Sequence, residues 1–356
     1  MKTNHRIPLI SPPQAKADIL HLLHARDELQ QHLFHSARQV RQQAGMALVK
    51  LRGVIEISNY CQKACGYCAI RPQNCTLERF RMDTDTIIAV AHDIASEGIT
   101  TVFLQSGQDP KVDDIVCEAI PAIRELGVEV LLNLGEKSLS TYERYAAAGA
   151  GSYILKFETA DPILHQQVIC SPLSERLQCA EWIKQAGMQL GTGNIIGLPN
   201  QTVESVAEDI LLALRMAPDF VSSSPFIPNE HTPLQDHPHG SLELTLNAIA
   251  VCRLLFPHAL IPAVSALEKL EPDGQLRGLN AGANVMTINF TPKDLRDSYA
   301  IYSQGRFVVK LDHAHNTIAR AGLTPGRPQP DVYLQKPANP MCGQTLDQLF
   351  PTRGTA

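Results

Sequence analysis

The sequence predicts an α/β fold, a TIM-type (β/α)8 barrel with an N-terminal helical extension and a C-terminal extension, on three observations. Eight short runs rich in β-branched residues recur at 49–58, 100–106, 128–134, 152–158, 189–197, 220–226, 261–266 and 283–289. Helix-period apolar stripes separate them, as when parallel strands are joined by crossover helices. Polar and glycine-rich groups follow the runs, where barrels of this architecture carry their active sites. These groups are Ser58-Asn59-Tyr60, Ser106-Gly107-Gln108-Asp109, Gly135-Glu136, Glu158-Thr159, Gly197-Leu198-Pro199 and Asn289.

Along the chain, residues 13–43 read as helical, so 1–48 form an extension before the first strand. The barrel spans 49–302, with crossover helices expected at 84–97, 113–126, 173–186, 203–217 and 242–255. After it, 303–356 supply one helix, ending near Ala321, and a tail rich in proline and glycine. No linker, internal repeat or low-complexity tract divides the chain. At 356 residues it exceeds the ~250 that a barrel typically needs, enough for these additions.

Composition narrows the function. With 44% apolar and 19% charged residues, the chain is globular rather than disordered. A net charge of −5 without a basic run argues against nucleic acid as a partner. Neither a leader-like N-terminus nor an 18-residue apolar stretch is found, so no membrane association and a cytoplasmic location are expected. Nine cysteines without a secretory leader suit thiols or metal ligands better than a disulfide framework.

Three of those cysteines, Cys61, Cys65 and Cys68, lie within eight residues after the first strand. Thiolates so close can converge on one metal centre. A 4Fe-4S cubane would keep one iron without a protein sulfur, whereas structural zinc would recruit a fourth ligand, for which Cys75 is near. The position at a barrel mouth, with the aromatic Tyr67 before the third cysteine, favours the open cluster. Glu158 ends an otherwise apolar strand, and a buried carboxylate needs a ligand or cation partner. His165, His231 and His313 read as loop or surface residues, since none has a metal-spaced partner.

The cysteine spacing is the radical S-adenosylmethionine (SAM) signature, and its surroundings resemble the HydE-type FeFe-hydrogenase maturases, relatives of biotin synthase. The likeness runs from Arg52 to Tyr302, through blocks such as Arg52-Gly53-Val54-Ile55-Glu56-Ile57-Ser58-Asn59, Leu104-Gln105-Ser106-Gly107-Gln108-Asp109-Pro110 and Glu158-Thr159-Ala160-Asp161-Pro162. The resemblance implies a radical SAM barrel in which Cys61, Cys65 and Cys68 hold a 4Fe-4S cluster and SAM is cleaved reductively to a 5′-deoxyadenosyl radical. It implies Tyr67 near the adenine and Ser106 with Gly107 at the methionine amine. Glu136 and Glu158 would accept from the amine or the ribose hydroxyls, and Arg176 would grip the carboxylate. Ile196 and Gly197 would let backbone approach the adenine. Deeper, it implies a substrate site drawn from Arg52, Ser265, Thr287, Asn289, Tyr299 and Tyr302.

The expected substrate is an organometallic iron precursor of the FeFe-hydrogenase H-cluster, or another small molecule. Expected partners are a reductant such as ferredoxin or flavodoxin and the other hydrogenase maturases. Alternatives are a methylornithine-type rearrangement, sulfur insertion as in biotin or lipoyl synthases, or a noncatalytic iron-sulfur or zinc protein. Departures from the pattern are Ala69 for a glycine after the third cysteine, Lys156 for an arginine, and Ser265-Ala266 for a threonine pair. Residues 303–323 carry no cysteine and Cys342 is alone, so a second cluster is not expected.

Overall fold

A computed structural model describes residues 8–301 and 305–326. Tyr302, Cys342 and everything after 326 lie outside the described residues. Among the described residues eight parallel strands form one sheet: β1 (Leu48–Ser58), β2 (Thr101–Ser106), β3 (Glu129–Asn133), β4 (Ser152–Ile154), β5 (Gln189–Ile196), β6 (Phe220–Pro225), β7 (Val285–Asn289) and β8 (Thr324–Gly326). Their order is β6-β5-β4-β3-β2-β1-β7, and β8 pairs with the start of β1.

The expected strand at 261–266 is reduced to isolated parallel bridges, Phe220 with Leu260 and Pro262 with Val285. Pro262 has no amide hydrogen to give a ladder, and Ser265 already begins the helix Ser265–Leu270. The bridges nonetheless join β6 to β7 and close the ring. The expected N-terminal helical stretch is two helices, Lys16–Leu23 and Asp27–Gln43, the second packed on Leu242–Leu255. The pairing of 324–326 with β1 has no strand pattern in the sequence Thr324-Pro325-Gly326 to announce it.

Register explains the two-sided core. Val54 pairs with Phe103 and Phe103 with Leu131, so these residues share the inner face and, with Ile154, form an apolar layer inside the barrel. Their strand neighbours Val102, Leu104, Val130 and Leu132 point outward into the large core beneath the helices. Crossover helices start on side-chain caps: Asp83, Ser138, Asp161, Thr202 and Ser241 each accept from a backbone N–H of the first turn. Such abrupt helix starts keep the β-to-α loops at the carboxyl ends of the strands. Among the described residues no helix is long and apolar enough to cross a membrane.

Candidate active site

The cysteine loop leaves β1 and is held by two arginines. Arg79 donates to four backbone carbonyls, those of Asn59 at 2.6 Å, Ile70 at 2.7 Å, Arg71 at 2.7 Å and Asn74 at 3.1 Å. Arg81 makes a fork onto Asp109, at 2.7 Å and 3.0 Å, and Ser58 donates to the same carboxylate at 2.7 Å. Burial opposes charge on Asp109, but these bonds outweigh it and hold the carboxyl below its ordinary range. Gly107 closes the arrangement. A Cβ there would stand 2.2 Å from the Tyr60 carbonyl oxygen and 2.7 Å from Cys61 Cβ, so only glycine lets β2 approach the loop.

Cys61, Cys65 and Cys68 face one cavity inside the barrel mouth. Cys61 Sγ accepts from Lys63 N at 3.4 Å and Gln108 N at 3.3 Å, two amides aimed at sulfur. Burial raises the Cys65 thiol to about 12 and Cys68 further, each also pushed by its neighbouring cysteines. Cys75 is exposed, bonds Gln73 O at 3.6 Å and is off the cavity wall. Among the described residues no three His, Cys, Asp or Glu side chains gather closely enough for a single metal ion. Three sulfurs spaced around one end of a cavity suit a polynuclear cluster better than tetrahedral zinc.

Beside the sulfurs stands a ring of charge. Arg176, from the helix Leu173–Gln185, donates Nε to Glu136 Oε1 at 2.6 Å and Nη1 to Lys156 O at 2.8 Å. Lys63 Nζ lies 2.5 Å from Glu136 Oε2. Burial penalises charge on Arg176, yet Glu136 and Glu158 overcome it and raise its pKa. Burial likewise disfavours the Glu136 carboxylate, but Arg176 and Lys63 hold its pKa below the ordinary range. Tyr67 donates to Glu158 Oε1 at 3.3 Å, and burial, with Glu158 beside it, pushes that phenol well up. Lys156 Nζ is 3.0 Å from Glu158 Oε2, but this buried oxygen makes no aligned hydrogen bond.

Below the ring the cavity, about 340 Å³, continues to the apolar layer of Val54, Phe103 and Ile154. Buried Arg52 donates Nε to Thr287 Oγ1 at 2.6 Å and lies over the Phe103 ring, 4.9 Å from its centroid. Burial lowers its pKa to about 10, and no carboxylate among the described residues pairs with it. Higher on the same wall, Glu56 takes a fork from Arg306, which also lies over Tyr299.

The structure thus brings Cys61, Cys65, Cys68, Tyr67, Ser106, Gly107, Glu158 and Arg176 onto one cavity with Arg52, Ser265, Thr287, Asn289 and Tyr299. Glu136 meets it through Arg176 and Lys63. Ile196 and Gly197 stand behind the wall: Ile196 packs into the outer core, and Gly197 N donates to Gln201 Oε1 at 2.7 Å. Arg176 is buried. His165 corrects the surface reading, since it lies on the inward face of Pro162–Ile169 with Nδ1 2.8 Å from Ser171 O. His313 is half-buried against Gln275, and His231 is exposed.

Sequence reasoning missed Lys63, Arg79, Arg81, Glu56 and Arg306. A lone carboxylate within the apolar run Val54-Ile55-Glu56-Ile57 was a usable signal for Glu56 and its partner.

The family profile described as "Radical SAM superfamily" matches residues 55–213. The chain is 36% identical to "[FeFe] hydrogenase maturase subunit HydE" of Thermotoga maritima over 302 residues, 83% of this chain and 87% of that one. It is 29% identical to 3-methylornithine synthase of Methanosarcina acetivorans over 277 residues, covering 76% and 77% of the two chains. The crystal structure of methylornithine synthase (PylB) superposes with a TM-score of 0.75 at 26% identity, covering 88% of this chain and 94% of that one.

Proposed function

We propose, from the premise that this chain belongs to the radical SAM superfamily, that it is a HydE-like maturase acting on an organometallic precursor of the FeFe-hydrogenase H-cluster. It is an enzyme, and its family works with a 4Fe-4S cluster and SAM. In this reading Cys61, Cys65 and Cys68 would hold the cluster beside the SAM site. The cluster would supply the electron for reductive cleavage of SAM.

The protein's own residues then bind, orient and exclude water. The observation that carries the reading is one cavity that joins the three sulfurs to Arg52 and Thr287 deeper in the barrel. The residues fit SAM's polar groups. Glu158 Oε2, buried and without an aligned hydrogen bond, is ready to accept from an amine or ribose hydroxyl. Arg176 can share its guanidinium with a carboxylate, and Tyr67 presents a ring beside the last sulfur. Ser106 and Gly107 bring β2 against the cysteine loop, where the methionine amine would lie.

Arg52, Thr287, Asn289, Ser265 and Tyr299 form the substrate end. An uncompensated buried guanidinium suits an anionic substrate or an anionic ligand on iron. The maturase reading is favoured by 36% identity to HydE against 29% to methylornithine synthase. Among the described residues the cavity wall holds no fourth cysteine, so sulfur insertion has no local sulfur source there. A small reducing protein such as ferredoxin or flavodoxin would supply the electron, and partner maturases would deliver the precursor and take the product.

Two measurements test this. Oxygen-free reconstitution followed by dithionite and SAM should yield 5′-deoxyadenosine, and its absence with an intact cluster would support a noncatalytic binding protein. Cells making a FeFe hydrogenase and the remaining maturases should evolve hydrogen when supplied with this chain. Deoxyadenosine formation without hydrogenase activation would move the assignment to another small-molecule substrate.

A further inference from the structure

Glu158 has φ +68°, a left-handed conformation that a non-glycine residue keeps only where its surroundings impose it. Its N–H donates to Gly193 O at 3.0 Å and its carbonyl accepts from Ile195 N at 2.8 Å, so it bridges β5 opposite Asn194. The turn beyond it is fixed by Ala160, whose N–H donates to Asp209 Oδ1 at 2.6 Å. Asp209 comes from the helix Val203–Met216 and is fully buried. Its second oxygen accepts from Asn194 Nδ2 at 2.9 Å and Gln201 Nε2 at 3.2 Å. Gln201 in turn accepts from Gly197 N at 2.7 Å and Leu198 N at 3.3 Å, and donates to Ile195 O at 2.9 Å.

One carboxylate therefore ties the turn after β4 to the turn after β5. Its hydrogen-bond partners are neutral, the amides of Ala160, Asn194 and Gln201 together with Thr159. Burial pushes its carboxyl up to about 7, against the pull of Asn194, Ala160 and Thr159, and Asp161 adds to the upward push. Packing alone would be served by an apolar side chain at this inward helix position, without the cost of burying a carboxyl group.

We propose that Asp209 is a positioning residue for SAM. It locks the Glu158 turn to the Gly197 turn so that the Glu158 carboxylate faces the cavity in a fixed orientation. This rests on the reading of Glu158 as a SAM contact.

The test is equilibrium binding of labelled SAM to reconstituted protein, with iron content and melting temperature recorded for each variant. Asp209→Asn places a second amide against Asn194 and Gln201, and should weaken SAM binding about 10-fold while iron content stays at the wild-type level. Asn194→Ser, which frees one arm of the carboxylate, should weaken it about 3-fold. In a Glu158→Gln background, Asp209→Asn should change affinity less than about 2-fold, because both act through one contact.

Wild-type affinity in folded, iron-loaded Asp209→Asn overturns the proposal, as do effects of the two substitutions that simply multiply. Should Asp209→Asn fail to fold, Asn194→Ser takes its place: unchanged affinity there refutes the proposal. Wild-type affinity in Glu158→Gln alone removes the Glu158 reading and this proposal with it. Weakened binding in Glu158→Gln but not in Asp209→Asn removes the positioning role alone.

Discussion

Replacing Arg79 with alanine should empty the cysteine loop without unfolding the barrel. The guanidinium closes residues 59–74 by donating to four carbonyls at 2.6–3.1 Å. A charged hydrogen bond contributes roughly 1.5–3 kcal/mol when buried, and Arg79 is half-exposed, so the contribution falls to about 1 kcal/mol each. The loop then loses about 3–4 kcal/mol of local stability, which multiplies its open population by a factor on the order of 100 or more. The barrel strands make none of these four bonds, so the global melting temperature should fall by only a few degrees. Trypsin reads the open population through Lys63 and Arg71, both within the loop. Nicking there should accelerate on the order of 100-fold, and iron bound after reconstitution should drop below about half the wild-type level. Arg79→Lys keeps the charge but lacks the planar fork, and should restore only part of the loss. Wild-type nicking and full iron loading in Arg79→Ala would refute the clamp.

Other outcomes follow from the same geometry. Cys65→Ala should abolish both the cluster's absorbance and deoxyadenosine formation; a fully active variant would overturn the ligand assignment. Gly107→Ala places a Cβ 2.2 Å from the Tyr60 carbonyl oxygen and should reduce cluster occupancy, checked by iron quantitation. Arg52→Met should leave SAM cleavage without substrate near wild type while hydrogenase activation falls at least about 10-fold, the loss expected for a charged contact. Burial holds the pKa of His165 below the ordinary imidazole value of about 6.5, with Arg176 also lowering it. The unfolded chain therefore takes up this proton first as pH falls, so its contribution to stability is complete above about 6.5 and is lost progressively below it. The melting-temperature gap between wild type and His165→Asn should shrink between pH 7.5 and 5.5, and a gap that widens would contradict the sign.

Much of the fold was legible because strand periodicity and strand-end glycines are local signals. The strand at 261–266 failed where a short apolar run met Pro262 and a helix start at Ser265, both visible but outweighed by the β-branched count. His165 lacks a metal-spaced partner, yet Leu164, Val168 and Ile169 beside it mark an inward helical face. In the site, the cysteines and Glu158 were legible because a cluster motif and a carboxylate at the end of a buried strand are anomalies in sequence. Arg79 and Arg81 were not, since a guanidinium that binds backbone carbonyls looks in sequence like any surface arginine. Asp209 interrupts the inward stripe of its helix, a signal that gains meaning only once Ala160 is known to lie opposite.

The distribution of charge within the cavity supplies a reason for an ordered reaction. At the mouth, three cations, Arg176, Lys63 and Lys156, share two carboxylates, Glu136 and Glu158, so that every cation of this tier has a carboxylate partner before any ligand arrives. At the floor, Arg52 has a hydroxyl and an aromatic face but no carboxylate among the described residues. An unpaired buried cation is the more costly state, and an anion arriving at the floor relieves it. Substrate bound there would lie beneath SAM, so the mouth would have to admit the substrate before SAM covers it. SAM added first should then slow substrate entry, and in pre-mixing experiments activation should lag when SAM precedes substrate. Equal rates in both orders would show that the floor is reached by another route.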